Sequence, residues 1–228
     1  MAEISLYSDW GFPAAEKEFK RALQLDPDNA QSHQWYAEFL SLMGGHTEAI
    51  AEIQKAEQLD PTAMIIYHQA GQVFQAARQY DKALEQYRRA LEIQPGFGPT
   101  YSAMAVAYRR QGQYQASLEA DRGADLYWNP GGTSLSDLEK VAKAYANSGE
   151  RGYEIALLAF EKKHPATTYH VAWAYAQLGD NEQALQCLQK SFQAREIDIL
   201  GVRNDPELDS LRGDPRFQQL VQAIGLAR

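Results

Sequence analysis

The chain has 228 residues, is 45% hydrophobic and 23% charged, and carries a formal net charge of −8. That balance is globular. It offers no apolar run near the ~20 residues that span a bilayer, and its sign opposes phosphate-backbone binding, so membrane insertion and direct nucleic-acid binding are disfavoured. Cys187 is the sole cysteine, which excludes an internal disulfide and a cysteine-based metal cage. The opening MAEISLYSDW has neither the basic nor the apolar region of a signal peptide; a cytoplasmic setting fits, with the periplasm left open.

In chain order, Phe12–Pro27 (FPAAEKEFKRALQLDP) predicts a helix with Ala15, Phe19 and Ala22 on one face. It reads as the second helix of a pair whose first is cut short, as expected of a segment excised from something longer. Phe12 and Trp10 at this end are expected to form an exposed apolar edge. Ala30–Ala63 predicts a complete helix pair: His33, Tyr36, Ala37 and Leu40 on the first helix, Ala49, Ile53 and Ala56 on the second, closed by Pro61. Met64–Phe97 repeats the pattern with Tyr67, Ala70, Gly71 and Phe74, then Tyr80, Ala83, Tyr87, Ala90 and Pro95. Small residues on one helix thus face large ones on its partner.

Gly98–Gly131 begins in the same way, with Tyr101, Met104, Ala105 and Tyr108, followed by Gly112 and Tyr114. Its second helix departs from the pattern at Ser117, Asp121 and Gly123. An internal glycine costs ~1 kcal/mol against alanine, so this helix is expected to be the weakest. WNPGG (Trp128–Gly132) is a strong turn signal, read as a bend. Leu135–Ser148, with Leu138, Val141, Ala142 and Tyr145, and Arg151–Lys163 predict a degenerate pair. A regular pair returns in Tyr169–Arg195 with Val171, Ala172, Tyr175, Gly179, Ala184, Leu188 and Ser191. Asp205-Pro206 and Asp214-Pro215 each predict an N-cap with proline in the first turn. These would start a short helix to Leu211 and a longer one to Ile224, with Leu208, Leu211, Phe217, Leu220, Val221 and Ile224 as a capping face.

Pro27, Pro61 and Pro95 stand 34 residues apart and close the phrases RALQLDP, KAEQLDP and RALEIQP. With the small-against-large helix pattern, this period resembles the tetratricopeptide repeat (TPR). The resemblance implies an all-α, right-handed solenoid of about six helix pairs with a C-terminal helical cap. Three segments are expected: a truncated first repeat plus three regular repeats (1–131), degenerate and final repeats (132–196), and capping helices (197–228). The phrases SDWGFPAAEKEFKRALQLDP, HQWYAEFLSLMG, YAQLGDNEQAL and DPELDSLRGDPRF further resemble the C-terminal TPR region of bacterial multidomain signalling and transcription-regulator proteins. That resemblance implies a docking or sensory arm whose effector domain is absent from this chain.

In such repeats the first helices line a concave groove. The stripe opposite the packed one selects Gln34, Glu38 and Ser41; His68, Gln72 and Gln75; Ser102, Val106 and Arg109; and Tyr169 and Trp173. Amides and imidazoles can hydrogen-bond a peptide backbone and aromatic faces can anchor side chains. Trp173 is the sharpest of these, its ordinary alternative being packing against the preceding degenerate repeat. Arg109 and Arg110 could pair with an acidic ligand, against the common alternative of a solvated helix face.

The Lys/Asn/Arg clamp by which some TPR domains hold a carboxylate is missing. Gln34, Glu38, Gln69, Pro99 and Ala103 occupy the matching positions. The five histidines, at 33, 46, 68, 164 and 170, make no HExxH or comparable spacing, and His33 falls in the packed stripe. His164 precedes Pro165 in a turn. Cys187, beside Leu185 and Leu188, reads as a half-buried inert thiol. No catalytic site and no cofactor is expected. The expected function is a protein-interaction scaffold holding a protein or peptide segment, with self-association or small-molecule sensing as alternatives.

Overall fold

The computed structural model describes residues 11–128, 134–164 and 167–226. Trp10, the turn that follows Trp128, and Pro165 lie outside them. All regular structure among the described residues is helical: α1 (Phe12–Leu25), α2 (Ala30–Leu42), α3 (His46–Leu59), α4 (Met64–Ala76), α5 (Tyr80–Ile93), α6 (Gly98–Arg110), α7 (Tyr114–Trp128), α8 (Leu135–Lys163), α9 (Thr168–Gln177), α10 (Asn181–Gln193) and α11 (Pro215–Ile224). Two 3-10 turns, Ile197–Gly201 and Pro206–Leu211, separate α10 from α11. The chain forms two compact units, one ending at Ala107 and the other beginning at Tyr108, so the boundary falls inside α6.

In the first unit each helix packs on the next from α1 to α5, and α2 also packs on α4. This is the arrangement that the 34-residue period predicts. Its core is a continuous set of small and branched residues: Ala37, Ala49, Ile53, Ala56, Ile66, Ala70 and Val73 are all buried. Phe19, Tyr36 and Phe39 group their rings where α1 meets α2, with centroids 5.6 Å to 6.3 Å apart. Phe12 is buried too, at 4% exposure, which corrects the expected apolar edge. The amphipathic face of α1 carries Phe12 inward together with Ala15 and Phe19.

Helices α4 and α5 approach closely at Gly71. Gly71 lies against the ring of Tyr87, and a Cβ at that position would stand 2.2 Å from a ring carbon. Tyr87 is fully buried, and its hydroxyl donates to Gln75 Oε1 at 3.1 Å. The ring therefore sits where only a glycine lets it. His33, as expected, is a core histidine: Nδ1 is 2.5 Å from Glu52 Oε2 and Nε2 2.9 Å from the Pro27 carbonyl. It ties α2 to α3 and to the turn that ends α1.

In the second unit, α8 is a single helix only by name. Gly149 interrupts it at φ 59°, ψ −150°, a region that is essentially open to glycine alone. The two arms, 135–148 and 150–163, are the predicted degenerate pair. Asp137 in the first turn accepts from Lys140 Nζ (2.6 Å) and Lys163 Nζ (2.5 Å), and His164 Nε2 lies 2.9 Å away. One carboxylate thus joins the two ends of the hairpin, and these partners, Lys140 first, hold its pKa well below the ordinary carboxylate range. Between the arms and α7 lies an aromatic core of Tyr114, Leu118, Val141, Tyr153 and Leu157.

Helix α9 packs on α8 and α10, and the residues after α10 fold back on this pair. The Glu196 carboxylate accepts from the backbone N–H groups of Thr168 (3.0 Å) and Tyr169 (3.1 Å), satisfying the start of α9 from a distance. Asp205 and Asp214 cap as predicted, accepting from the N–H groups of Glu207 and Arg216 at 2.9 Å and 2.8 Å. The element that Asp205 opens is a 3-10 turn rather than an α-helix. Leu208, Leu211, Phe217, Leu220 and Ile224 are buried. Helix α7 runs unbroken through Gly123.

Two substitutions test this packing. Gly71→Ala should lower unfolding free energy by ~3 kcal/mol or more, since overpacking a core usually costs ~1–3 kcal/mol and this overlap is with a fully buried ring. Gly213→Ala, with nothing within 4 Å of its added Cβ, should leave the urea midpoint unchanged. Asp137→Asn should lower the thermal midpoint at neutral pH. Because the folded pKa is depressed, that stabilisation is present above the ordinary carboxylate pKa and fades as pH falls below it. The wild-type and mutant midpoints should therefore converge in acid.

Candidate functional site

The residues selected from the sequence divide into two sets, one in each unit. In the first unit, Gln34, Ser41 and His68 are buried, Glu38, Gln75 and Val106 half-buried, and Gln72 and Ser102 exposed. His68 is structural. Its Nδ1 meets Thr100 Oγ1 at 2.9 Å, and its ring packs edge-on against Phe97 with centroids 5.6 Å apart. Burial lowers its pKa to about 4, so at neutral pH it is uncharged. The most exposed of the selected positions here are Gln72 and Ser102.

The second unit gathers a denser site. Helix α9 presents His170, Trp173, Ala174 and Gln177, spaced i, i+3, i+4, i+7, and α8 presents Glu154, Leu157 and Glu161, spaced i, i+3, i+7. Together with Arg109 from α6 and Glu207 from the 3-10 turn, these residues line a narrow cleft with room for about one water molecule. Trp173 is half-buried, with its ring centroid 4.3 Å from that of His170 and 5.4 Å from that of Tyr169. The Trp173 ring thus packs on two rings of its own helix and lines the cleft. Tyr169, by contrast, is buried, and its hydroxyl donates to Asp205 Oδ2 at 2.9 Å.

The two arginines are not solvated. The Arg109 side chain is 9% exposed and donates from Nη2 to Glu207 Oε1 at 3.2 Å, while Arg110 Nε lies 3.6 Å from Glu207 Oε2. Gln177 completes the knot, donating to the Glu207 carbonyl at 2.6 Å and accepting from Arg110 Nη1 at 3.4 Å. Glu207 itself is 1% exposed. Arg109 is thus paired with an internal carboxylate, while Glu207 Oε2 and Arg110 Nε and Nη2 are buried without a hydrogen-bond partner.

Three carboxyls, Glu154, Glu161 and Glu207, line the cleft with one guanidinium, that of Arg109; Glu154 and Glu207 are buried, Glu161 and the nearby Asp121 half-buried. Besides Glu207, the carboxyls of Asp121, Glu154 and Glu161 lie within electrostatic reach of Arg109. Burial pushes the pKa of Glu154 and Glu161 up to about 7 and that of Asp121 to about 6, in each case against the pull of Arg109. Burial also lowers the pKa of His170. Glu154 is 6% exposed, and its Oε2 has no hydrogen-bond partner.

None of Asp121, Glu154, Glu161 or Glu207 was selected from the sequence. One signal was visible, since Ser117 and Asp121 break the apolar stripe of α7. The structure explains that break: Ser117 Oγ lies 3.0 Å from the Tyr153 hydroxyl, and Asp121 faces the polar cluster. Among the described residues, no group of His, Cys, Asp or Glu could hold a metal ion. No described helix is long and apolar enough to cross a membrane.

Helix pairs stacked in sequence order define an α-helical repeat protein. The repeats are tetratricopeptide repeats: residues 18–51, 65–97 and 168–198 each match a tetratricopeptide-repeat family model. Solved structures with a similar fold include the Cut9–Hcn1 hetero-tetramer of the APC/C, at 15% identity and TM-score 0.55, covering 96% of this chain and 47% of that one. Naa15/Naa10 bound to HypK-THB is similar at 19% identity and TM-score 0.51, covering 97% of this chain and 35% of the other. YrrB, described as a TPR protein with an unusual peptide-binding site, stands at 22% identity and TM-score 0.48, covering 81% and 96%. No curated protein sequence matches the chain.

The buried carboxyls set the sign of the pH response. A folded pKa raised above its unfolded value gives stability that is full below about 4.5, the ordinary glutamate value, and is lost as pH rises through about 7. Urea unfolding of the second unit should therefore show falling stability from pH 5 to pH 8, with a shallower fall in Glu154→Gln. His68 gives the opposite trend in the first unit: full stability above 6.5, lost as pH falls towards about 4.

Proposed function

We propose that the chain is a non-enzymatic interaction scaffold that takes a peptide or protein segment along the first helices of its repeats. In the cell it would serve as a docking or sensory module of a bacterial signalling protein. The observation that carries this reading is the exposure of Gln72 and Ser102 on α4 and α6, on helices whose other faces are buried in repeat packing. Polar, uncharged side chains on a preformed rigid surface suit an extended backbone, because the receptor loses little freedom on binding.

Self-association is the second reading. Leu126, Tyr127 and Trp128 end α7 at 55%, 43% and 60% exposure, an apolar run of the kind that marks contact surfaces. Sedimentation as a monomer at all concentrations would remove it.

The direct test is capture from a bacterial lysate by the wild-type chain and by Gln72→Ala/Ser102→Glu, which touches no buried group. Loss of a captured protein in the variant, with unchanged circular dichroism, is the expected result. Equal capture by both would place the contact away from these helices.

A further inference from the structure

The exposed apolar run that ends α7 does not stand alone. Tyr127 and Trp128 pack edge to face, with ring centroids 4.9 Å apart, and Leu126 precedes them at 55% exposure. Ser134 donates to Asp125, which ties the end of α7 to the start of α8. Lys163 donates to Asp137, which brings the last turn of α8 to that same end of the unit. The first and last six residues of α8 carry three exposed lysines, Lys140, Lys162 and Lys163, and one exposed carboxylate, Glu139; Asp137 is buried and Glu161 half-buried. Lys140 and Lys163 share the Asp137 carboxylate while their side chains stay 70% and 61% exposed. An apolar tip thus lies at a lysine-rich end of a chain whose net charge is −8.

We propose that this end of the second unit docks an acidic segment of a partner protein, one that carries a large apolar side chain between its carboxylates. The apolar side chain covers Leu126, Tyr127 and Trp128, and the carboxylates pair with Lys140 and Lys163. The assignment rests on the scaffold reading above and adds a second contact, on the other unit from Gln72 and Ser102. An ammonium group has three N–H donors. Asp137 takes one from each lysine, so both keep donors for an incoming carboxylate. Charge complementarity selects this occupant. In a two-fold pairing a second copy of the chain would bring the same lysines to the contact, and like charges set against each other oppose association. A cationic segment meets the same repulsion, and a neutral one leaves the lysines without partners. Apolar contact supplies affinity here, while the charges set orientation and the rate of encounter.

The test is a nuclear magnetic resonance titration of the full chain with acetylated, amidated peptides Ser-X-Phe-X-Leu-X-Ser, where X is glutamate, glutamine or lysine. A further glutamate peptide has serine in place of phenylalanine and leucine. The glutamate peptide with both apolar residues should bind saturably and shift the Trp128 indole signal. It should bind about tenfold more tightly than the glutamine peptide, and the lysine peptide should bind more weakly still. Its affinity should fall several-fold as salt is raised from about 0.05 M to about 0.3 M, since exposed charges are screened. Trp128→Ser, at a position 60% exposed, should weaken it about tenfold. Lys140→Gln leaves Asp137 its contacts with Lys163 and His164 and should weaken it about threefold with unchanged circular dichroism.

Equal binding of the glutamate and lysine peptides, or of the glutamate peptide without its apolar residues, overturns the assignment while leaving the scaffold reading standing. The same holds if no peptide binds but lysate capture still depends on Gln72 and Ser102. If neither peptides nor lysate proteins are retained, both readings fail. Two other occupants would also overturn it. Concentration-dependent association that is lost in Trp128→Ser, with no peptide bound, would make this a contact between copies of the chain. Co-sedimentation with phosphatidylglycerol vesicles, again with no peptide bound, would make it a membrane-surface contact.

Discussion

The packing of small residues against large ones across each helix pair is the contact on which the repeats depend. At Gly71 the absence of a single Cβ lets the Tyr87 ring lie flush against the α4 backbone, and that ring fixes the spacing of α4 and α5. The buried alanines Ala37, Ala49, Ala56 and Ala70 do the same at neighbouring positions. Each close approach brings the next helix within reach, so packing on neighbours alone suffices to extend the stack. Side chains on the remaining face of the first helices, such as Gln72 and Ser102, have no part in this packing.

The second unit departs from that scheme where polar residues replace apolar ones. Ser117 and Asp121 stand on the packed stripe of α7, and Tyr153, Glu154 and Glu161 answer them from α8. Glu207 then arrives from the C-terminal segment and holds Arg109 and Arg110. A buried ion pair is weak evidence for stability, because desolvation offsets most of the attraction. The knot around Glu207 has a positional effect instead. It seats the 3-10 turn against α9, with Gln177 bonded to the Glu207 carbonyl, and so builds one wall of the cleft from the segment that covers the last repeat.

How much of this was legible in the sequence follows from the range of the interactions involved. Helix pairs, proline stops and the Asp205 and Asp214 caps rest on contacts within a few residues, and the 34-residue spacing displays them directly. The reversal at Gly149 was legible only as a gap between two apolar stripes. Burial of His68 was not, because it depends on Thr100 and Phe97 in the next repeat. The carboxyl cluster was least visible: Arg109 and Glu207 are 98 residues apart, and no local period links them. Exposure of a stripe position cannot be read from spacing once a neighbouring repeat or a returning tail covers it, which is why Gln34 and Tyr169 are buried while Gln72 is not.

The central claim is that breaks in the repeat pattern build a cleft lined by three carboxyls and one guanidinium. Carbon-13 carboxyl resonances of Glu154 and Glu161, followed through a pH titration of the full chain, test it most directly. Midpoints near 7 for both, each displaced upward from solvent-exposed glutamates in the same spectrum, are the predicted result. Midpoints near the ordinary glutamate value of 4.5 would mean that the cleft is already balanced and solvated, and would contradict the account.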